Sequence, residues 1–116
     1  MSLDIKSREE RGVTVVVPRG RLTLDYGSRL HDEVKRVVEG GARRVLIDLS
    51  AVDYVDSHGL GQMVACQTTL RRHEGQLRFA GLNEKVHRLM EMTSIPRILQ
   101  FDSDLPTGLS KLAGTA

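Results

Sequence analysis

Apolar residues recur along the chain with two spacings, and each spacing predicts a different kind of element. Short runs that are rich in β-branched residues and bounded by glycine, proline or charged residues are typical of strands. The strongest of them, residues 45–49, reads as a buried strand. The predicted strands are an edge strand with Leu3 and Ile5, residues 13–17, residues 43–49, residues 76–81, and a short strand with Ile98, Leu99 and Phe101.

Between these runs the apolar residues recur at every third or fourth position, which predicts four amphipathic helices. The first occupies the segment before the glycine pair 40–41, the second runs from Ser57 to about His73, and two more follow. The predicted N-terminal caps are, in chain order, Thr23 or Asp25, Asp56 or Ser57, Asn83, and Asp102 or Ser103, and the predicted stop signals are Gly40, Gly75 and Pro96.

The resulting order, β-β-α-β-α-β-α-β-α, predicts a single α/β domain over residues 1–116. Strand–helix–strand crossovers produce parallel neighbours, whereas a turn at Gly12 makes the first two strands antiparallel. We therefore expect a mixed sheet of about four to five strands flanked by about four helices. Residues 1–11 form its N-terminal edge segment, and residues 113–116 form a flexible tail.

Asp56 and Ser57 lie just before the second helix, downstream of the central strand. In open α/β sheets the working site lies beyond the carboxyl ends of the strands, and a helix N-terminus offers free N–H groups and a positive dipole end. Two interpretations follow. Either Asp56 or Ser57 only caps the helix while Gly59 and Gly61 allow close approach to the sheet, or the Ser57 hydroxyl is phosphorylated.

Phosphorylation of Ser57 would be switch chemistry rather than catalysis. A phosphate adds roughly 1.5 to 2 negative charges and three acceptor oxygens at the start of the helix. Because the helix dipole contributes only about 0.3–1 kcal/mol at this position, the fold tolerates the modification. The consequence falls on a partner, which would meet new negative charge beside Asp56.

Composition and charge narrow the class of protein. A chain of 116 residues that is 40% hydrophobic and 28% charged is typical of one globular domain. It contains neither an apolar run of about 18 residues nor a signal-peptide core, so we expect a cytoplasmic protein. A net charge of +2, scattered basic residues and few aromatics disfavour a nucleic-acid partner. The single cysteine, Cys66, excludes an internal disulfide and suits a semi-buried helix position.

Enzyme chemistry finds little support in the sequence. Ser57 lacks the Gly-x-Ser-x-Gly turn of serine hydrolases, and His58 would project about 100° from it around a helix. The histidines show no metal-ligand spacing, and no phosphate-binding Gly-x-x-x-x-Gly-Lys loop is present. Asp48, Asp53 and Asp56 could form an acidic phosphoryl-accepting pocket, but no lysine stands at a comparable strand end. We expect no enzymatic activity, no metal and no cofactor.

Four segments carry a family resemblance. The central one, Val-Leu-Ile-Asp-Leu-Ser followed by Val-Asp-Tyr-Val-Asp-Ser-His-Gly-Leu-Gly (residues 45–50 and 52–61), is similar to the signature of STAS domains, the bacterial anti-sigma factor antagonists. Supporting it are Gly-Arg-Leu at 20–22, Gly-Gln-Leu at 75–77 and Ala-Gly-Leu at 80–82. The resemblance implies a mixed sheet flanked by helices, without enzymatic activity.

The resemblance also implies a partner switch. The unphosphorylated antagonist binds an anti-sigma factor that is itself a serine kinase, which frees the sigma factor. The kinase then phosphorylates the antagonist with its own ATP and is released, and a serine phosphatase resets the cycle. Ser57 matches the phosphorylated serine, Asp56 the acidic residue before it, and Gly59 and Gly61 the small residues at the start of the helix. The partner-binding residues that this match implies are Asp56, Ser57, His58, Gly59, Thr23 and Asp25.

The chain departs from the family pattern at three places. Thr23 stands where an aspartate often follows Gly-x-Leu, His58 replaces a commoner serine or alanine, and residues 93–96 replace a glycine–leucine pair. Two other classes of function stay open. One is a non-switching scaffold module of a signalling or transporter assembly, which would be indifferent to changes at Ser57. The other is an enzyme or small-ligand binder with an apolar pocket near Asp56.

Overall fold

One long strand pairs with three others and sets the frame of the sheet, in a computed structural model that describes residues 3–92 and 99–114. The strands are β1 (Leu3–Glu10), β2 (Val13–Leu22), β3 (Arg44–Asp48), β4 (Val52–Val55), β5 (Gln76–Ala80) and β6 (Phe101–Asp102). The helices are α1 (Arg29–Glu39), α2 (Ser57–Arg72), α3 (Glu84–Glu91) and α4 (Leu105–Ala113), and a 3₁₀ turn, Leu24–Tyr26, precedes α1.

The strands are ordered β1-β2-β3-β5-β6, with β4 paired to β2. β1 runs antiparallel to β2, and the other pairings are parallel. The first part of β2 pairs with β3 and its last part, Gly20–Leu22, pairs with β4, after a register shift between Gly20 and Arg21. β4 therefore carries the chain to the end of the sheet where β2 also stops, and this places the residues after Val55 beside those after Leu22.

Alternating side chains of β2 enter two hydrophobic layers, as the pleat of a strand requires. Val16 packs on the face covered by α1, α2 and α3, whereas Val13, Val15 and Val17 pack on the face covered by α4. Full burial of each such side chain contributes roughly 1.5–3 kcal/mol, so both faces of the sheet need their helices. Cys66 is buried in the first layer, where burial raises the pKa of its thiol to about 12.

The fold class is confirmed, since the sheet is mixed and four helices flank it. The expected strands appear as β1, β2, β3 and β5, and the turn between β1 and β2 has Arg11 and Gly12 at φ +54° and +79°. The last strand begins at Phe101, and Ile98, Pro96 and the rest of residues 93–98 lie outside the described residues. β4 is an additional strand that the pattern of apolar residues does not predict.

Two predicted helix caps are wrong. Ser28, and not Thr23 or Asp25, occupies the N-cap position of α1, because the intervening residues form the 3₁₀ turn. Asp104, and not Asp102 or Ser103, caps α4, and its side chain accepts a hydrogen bond from the Thr107 N–H at 2.9 Å. The expected cap of α3, Asn83, is confirmed by its bond from the Val86 N–H at 2.9 Å.

The last helix extends further towards the C-terminus than the sequence predicted. α4 continues to Ala113 and Gly114 caps it, so the helix takes in the start of the segment that the sequence assigned to a tail. Residues 115–116 lie outside the described residues. Across the described part of the chain, no helix is both long enough and apolar enough to span a membrane.

Candidate functional site

Asp56 starts α2. Its backbone is extended at φ −101° and ψ −175°, and its Oδ1 accepts a hydrogen bond from the Gly59 N–H at 2.9 Å, which is the bond of an N-cap residue. Asp56 is therefore the cap, and Ser57 is the first residue of the helix. The sequence allowed either residue as the cap. In the structure the Asp56 carboxylate fills this role, and the Ser57 hydroxyl does not cap the helix.

The second oxygen of Asp56 reaches a distant part of the chain. Oδ2 accepts a hydrogen bond from the Leu24 N–H at 3.0 Å, and the Asp56 N–H donates to the Leu22 carbonyl at 3.1 Å. Desolvation works to raise the pKa of Asp56, but the N–H donors of Leu24, Gly59 and His58 outweigh it and hold that pKa below its usual value. The charged carboxylate thus fixes the turn after β2 against the start of α2.

Gly59 lies directly on the backbone of β2. A Cβ at this position would be 2.2 Å from the Leu22 carbonyl oxygen and 2.9 Å from Val55 Cγ1, so only glycine allows this approach. Gly61 differs, since an added Cβ would meet nothing within 4 Å and the residue is exposed. The expectation that both glycines permit close approach to the sheet is correct for Gly59 and wrong for Gly61.

Ser57 is exposed at the outer side of this first turn. Its hydroxyl makes no hydrogen bond to any residue that the structure describes. The adjacent His58 is engaged elsewhere, because its Nε2–H donates to the Gly27 carbonyl at 2.9 Å and ties α2 to the turn before α1. No base among the described residues is bonded to Ser57 Oγ, so the described structure shows no group that would activate this hydroxyl as a nucleophile.

The residues that follow β2 lie beside Asp56 and differ in exposure. Thr23 is only 6% exposed, and its Oγ1 has no hydrogen-bond partner among the described residues. Asp25 is exposed, and Leu24 is 68% exposed although its N–H is bonded to Asp56. The structure thus brings Leu24, Asp25 and Asp56 together at the surface, whereas Thr23 and Gly59 lie beneath it.

Leu24 and Tyr54 are the surface residues that sequence reasoning missed. Tyr54 is 43% exposed, and the Arg21 guanidinium carbon lies 4.9 Å from its ring centroid, which is a cation–π contact. In the sequence Leu24 stands between Thr23 and Asp25, and Tyr54 stands between Asp53 and Val55, and either setting also occurs in a half-buried strand. No local signal in the sequence separates an exposed side chain of this kind from one that a strand buries.

The other carboxylates of the sequence-predicted acidic set have local roles. Asp48 Oδ1 accepts a hydrogen bond from the Ser50 N–H at 3.0 Å, and Asp53 is exposed on β4. Among the residues described, no group of three or more histidine, cysteine, aspartate or glutamate side chains is arranged to hold a metal ion. The chemistry on offer at this end of the sheet is therefore an exposed hydroxyl beside a fixed negative charge.

Known proteins resemble this chain in both sequence and fold. The sequence model of the STAS domain matches residues 4–108. An anti-sigma-B factor antagonist of Listeria monocytogenes is 32% identical over 102 residues, which cover 86% of this chain and 87% of that protein. Each match extends over most of the chain, so the similarity is not confined to the segment around Ser57.

Solved structures agree at the level of the fold. An anti-sigma factor antagonist from Mycobacterium paratuberculosis superposes with a TM-score of 0.86 at 22% identity, over 96% of this chain and 94% of that one. The phosphorylated form of the Bacillus cell fate determinant SpoIIAA has a TM-score of 0.66 at 11% identity, over 95% and 98% of the two chains. Together with the sequence matches, this fold makes the chain a member of the STAS domain family, in the group of bacterial anti-sigma factor antagonists.

Proposed function

We propose that this chain is an antagonist that works by partner switching, with Ser57 as the phosphorylated residue. Unphosphorylated, it binds an anti-sigma factor that is also a serine kinase; phosphorylation releases the complex, and a serine phosphatase restores binding. It acts in the cytoplasm by binding rather than by catalysis. The observation that carries the proposal is an exposed, unbonded serine hydroxyl at the first position of a helix that another residue caps.

This separation of roles lets the chain accept a phosphate without losing its fold. Because Asp56 caps α2, modification of Ser57 removes no hydrogen bond within the described structure. The helix contains no acidic residue in its first turn, so the positive end of its dipole faces the new charge. We expect phosphorylation to change the free energy of unfolding by about 1 kcal/mol or less.

The effect on the surface is much larger than the effect on the interior. A phosphate on Ser57 adds roughly 1.5 to 2 negative charges next to the Asp56 carboxylate, whose charge is fixed by three backbone N–H donors. Asp25 is exposed in the adjoining turn and adds to the same field. A partner that has packed against this surface would have to bury those charges or separate from them, and like charges in contact cost several kcal/mol.

The proposed docking surface consists of Leu24, Asp25, Asp56, Ser57 and His58. Leu24 supplies an exposed apolar side chain, which suits the buried centre of an interface surrounded by polar groups. Thr23 and Gly59, the other residues that the family resemblance implies, contribute by shaping the backbone below. The His58 bond to Gly27 and the Asp56 bond to Leu24 hold both parts of the surface in one arrangement.

The test is calorimetric titration of this chain with the anti-sigma factor kinases of its source organism. Ser57→Asp is expected to weaken binding of the cognate kinase by at least about tenfold, and Ser57→Ala to bind as the unmodified chain does. Ser103→Asp is the matched control, since Ser103 is exposed and directly precedes Asp104, the capping aspartate of α4. It introduces the same charge beside a helix cap elsewhere on the surface.

Equal affinity of Ser57→Asp and the unmodified chain for a partner would contradict the switch. In that case the chain is a constitutive interaction module. An equal loss in Ser57→Asp and Ser103→Asp would also contradict it, because the loss would then follow net charge rather than position.

A further inference from the structure

β1 forms one edge of the sheet, and no described strand pairs with its outer side. It has eight residues, pairs with β2 without a register shift over its whole length, and contains neither proline nor glycine. At the opposite edge of the described sheet, β6 has only two residues. A long and regular edge strand presents a row of unpaired N–H and C=O groups, which can pair with another strand.

The turn between β1 and β2 determines which backbone groups of β1 face outward. Arg11 and Gly12 both have positive φ, and the residues on either side of them, Glu10 and Val13, are paired. In a two-residue turn of this type the flanking residues form a hydrogen-bonded pair, and such pairs alternate along the ladder. The even-numbered residues of β1 therefore bond to β2. The outward N–H and C=O groups belong to Leu3, Ile5, Ser7 and Glu9.

The charges on β1 favour one way of pairing two copies of this edge. A two-fold axis perpendicular to the sheet makes the two β1 strands antiparallel, and their hydrogen bonds then require odd-numbered residues to face odd-numbered residues. In the register that sets Ile5 opposite the Ile5 of a second copy, Asp4 faces Lys6 at two symmetric positions. This register places no like charges directly opposite each other.

The other registers are unfavourable. A register centred on any charged residue of β1 places that residue opposite its own copy, and the register centred on Ser7 places Lys6 opposite Arg8. Leu3 is the first residue of the strand, so a register centred on it pairs only that residue within β1. Charged side chains usually protect an edge from pairing, and here they leave the register centred on Ile5 as the compatible one.

Ile5 supplies the apolar centre of this pairing. It is half-buried at the margin of the hydrophobic layer that α1 covers, and it lines a hollow of about 290 Å³ between β1 and α1. Directly opposed β-branched side chains on one face of a sheet stabilise strand pairing. The register that matches the charges thus also brings together two half-buried isoleucines.

We propose that a second copy of this chain binds at this edge, through antiparallel β1 strands with Ile5 facing Ile5. Residues 3–7 of each copy pair, and the sheet continues from one protomer into its partner. So few paired residues make a small interface, which is typical of a dimer that dissociates readily rather than of a permanent one. The pairing uses none of the residues of the proposed docking surface around Ser57, so it is independent of the proposed switch.

The test is sedimentation velocity of the chain over a range of concentrations up to about 1 mM. Lys6→Asp turns two attractive cross-strand pairs into repulsive ones, and it is expected to raise the Kd of the dimer by at least about tenfold. The double variant Asp4→Lys with Lys6→Asp exchanges the two charges and is expected to restore the Kd to within about threefold. Lys85→Asp is the matched control, since it makes the same change at an exposed lysine of α3 and is expected to stay within about twofold.

Amide hydrogen exchange of the unmodified chain tests the register without any variant. Raising the concentration is expected to slow exchange of the outward Ile5 and Ser7 N–H groups. The Lys6 N–H is bonded to β2 and should exchange slowly at every concentration, whereas the Glu9 N–H faces outward beyond the paired segment and should stay fast. Slowed exchange at Glu9 to the same extent as at Ile5 would overturn the proposed register.

Three further results would overturn the proposal. They are a chain that remains monomeric at about 1 mM, equal losses in Lys6→Asp and Lys85→Asp, and a folded charge-exchanged variant that stays monomeric. Ser57→Asp is expected to leave the Kd of the dimer unchanged. A failure of the switch is therefore distinguishable from a failure of this pairing, because each is measured with a different partner.

Discussion

The starts of α2 and α4 are built from the same parts but are held by different contacts. Each is capped by an aspartate whose Oδ1 accepts a hydrogen bond at 2.9 Å from the N–H three residues later. Each also contains a glycine that leaves no free room for a side chain. The difference lies in what these groups contact. Asp56 also binds the Leu24 N–H, whereas the Asp104 side chain bonds only within its own helix among the described residues.

The charges around the two helix starts differ as well. Next to α4, the buried Asp102 carboxylate is bound by Arg78 at 2.7 Å and by Lys111 at 2.8 Å. Asp56 forms no ion pair within the described residues and is held by backbone N–H groups alone. Beside α4, the Asp102 carboxylate and the side-chain cations neutralise one another. At the start of α2, the Asp56 carboxylate is bound by backbone N–H groups instead. We therefore expect a charge added at the start of α2 to break no ion pair among the described residues.

The largest difference should appear on enlarging the two glycines. Gly59→Ala would place a Cβ 2.2 Å from the Leu22 carbonyl oxygen, which is backbone and cannot move aside. We expect a loss of about 3 kcal/mol or more in the free energy of unfolding. Gly108→Ala meets side-chain atoms only, Leu46 Cδ1 at 2.8 Å and Asp102 Oδ2 at 3.1 Å, and it gains helix propensity, so we expect a smaller loss of about 1–2 kcal/mol. Urea denaturation of both variants measures the difference, and equal losses would contradict it.

Asp102→Asn tests the ionic support of α4. The carboxylate is fully buried, so its replacement leaves Arg78 and Lys111 without their partner and is expected to cost about 2–3 kcal/mol at pH 7. Circular dichroism during urea denaturation measures this loss. An unchanged midpoint would show that the ion pairs add nothing beyond packing.

The same variant should change how stability depends on pH. Bonding to Arg78 holds the pKa of Asp102 below its usual value, against the effect of burial and with help from Lys111. The stability that this group contributes is therefore present above its unfolded pKa of about 4 and is lost as the pH falls through the lower folded pKa. We expect Asp102→Asn to lose less stability than the unmodified chain as the pH falls below about 4. Parallel curves for the two proteins would contradict this assignment.

A smaller difference is expected between the two caps. Asp56→Ala removes the Gly59 bond and the Leu24 bond, and we expect it to cost about 2 kcal/mol. Asp104→Ala removes hydrogen bonds to Thr107 alone, on an exposed residue, and is expected to cost less than Asp56→Ala. The comparison fails if Asp104→Ala is the more destabilising of the two by thermal or urea denaturation.

Gly61→Ala should have the smallest effect, and of opposite sign. An added Cβ meets nothing within 4 Å, so alanine gains helix propensity without a clash and should stabilise the fold by up to about 1 kcal/mol. If the same variant binds the partner less tightly, Gly61 belongs to the interface and serves its close approach. A loss of stability would contradict the structure of this helix turn.

Local patterns in the sequence predict most of the fold. The run at residues 45–49 and the helical spacing after Ser57 are strong because burial on one face repeats over many residues. The same pattern does not predict β4, because this strand has only four residues and buries only Val52 and Val55. Its pairing with β2 depends on a register shift that no local pattern encodes.

The candidate site could be predicted only in part. Ser57 and Asp56 stand out because a polar pair precedes a helical pattern, and the family resemblance then selects the serine. The bond from Leu24 to Asp56 joins residues that are 32 positions apart, so neither the exposure of Leu24 nor the burial of Thr23 can be inferred from neighbours.

The most direct test of the central claim is to incubate the chain with its cognate anti-sigma factor kinase and ATP, and to follow both phosphorylation and the complex. Phosphopeptide mapping should find one phosphate, on Ser57, and native mass spectrometry should show the complex dissociate and re-form after phosphatase treatment. Ser57→Ala should remain bound throughout. A phosphate on another residue, or a complex that persists with Ser57 fully phosphorylated, would contradict the switch.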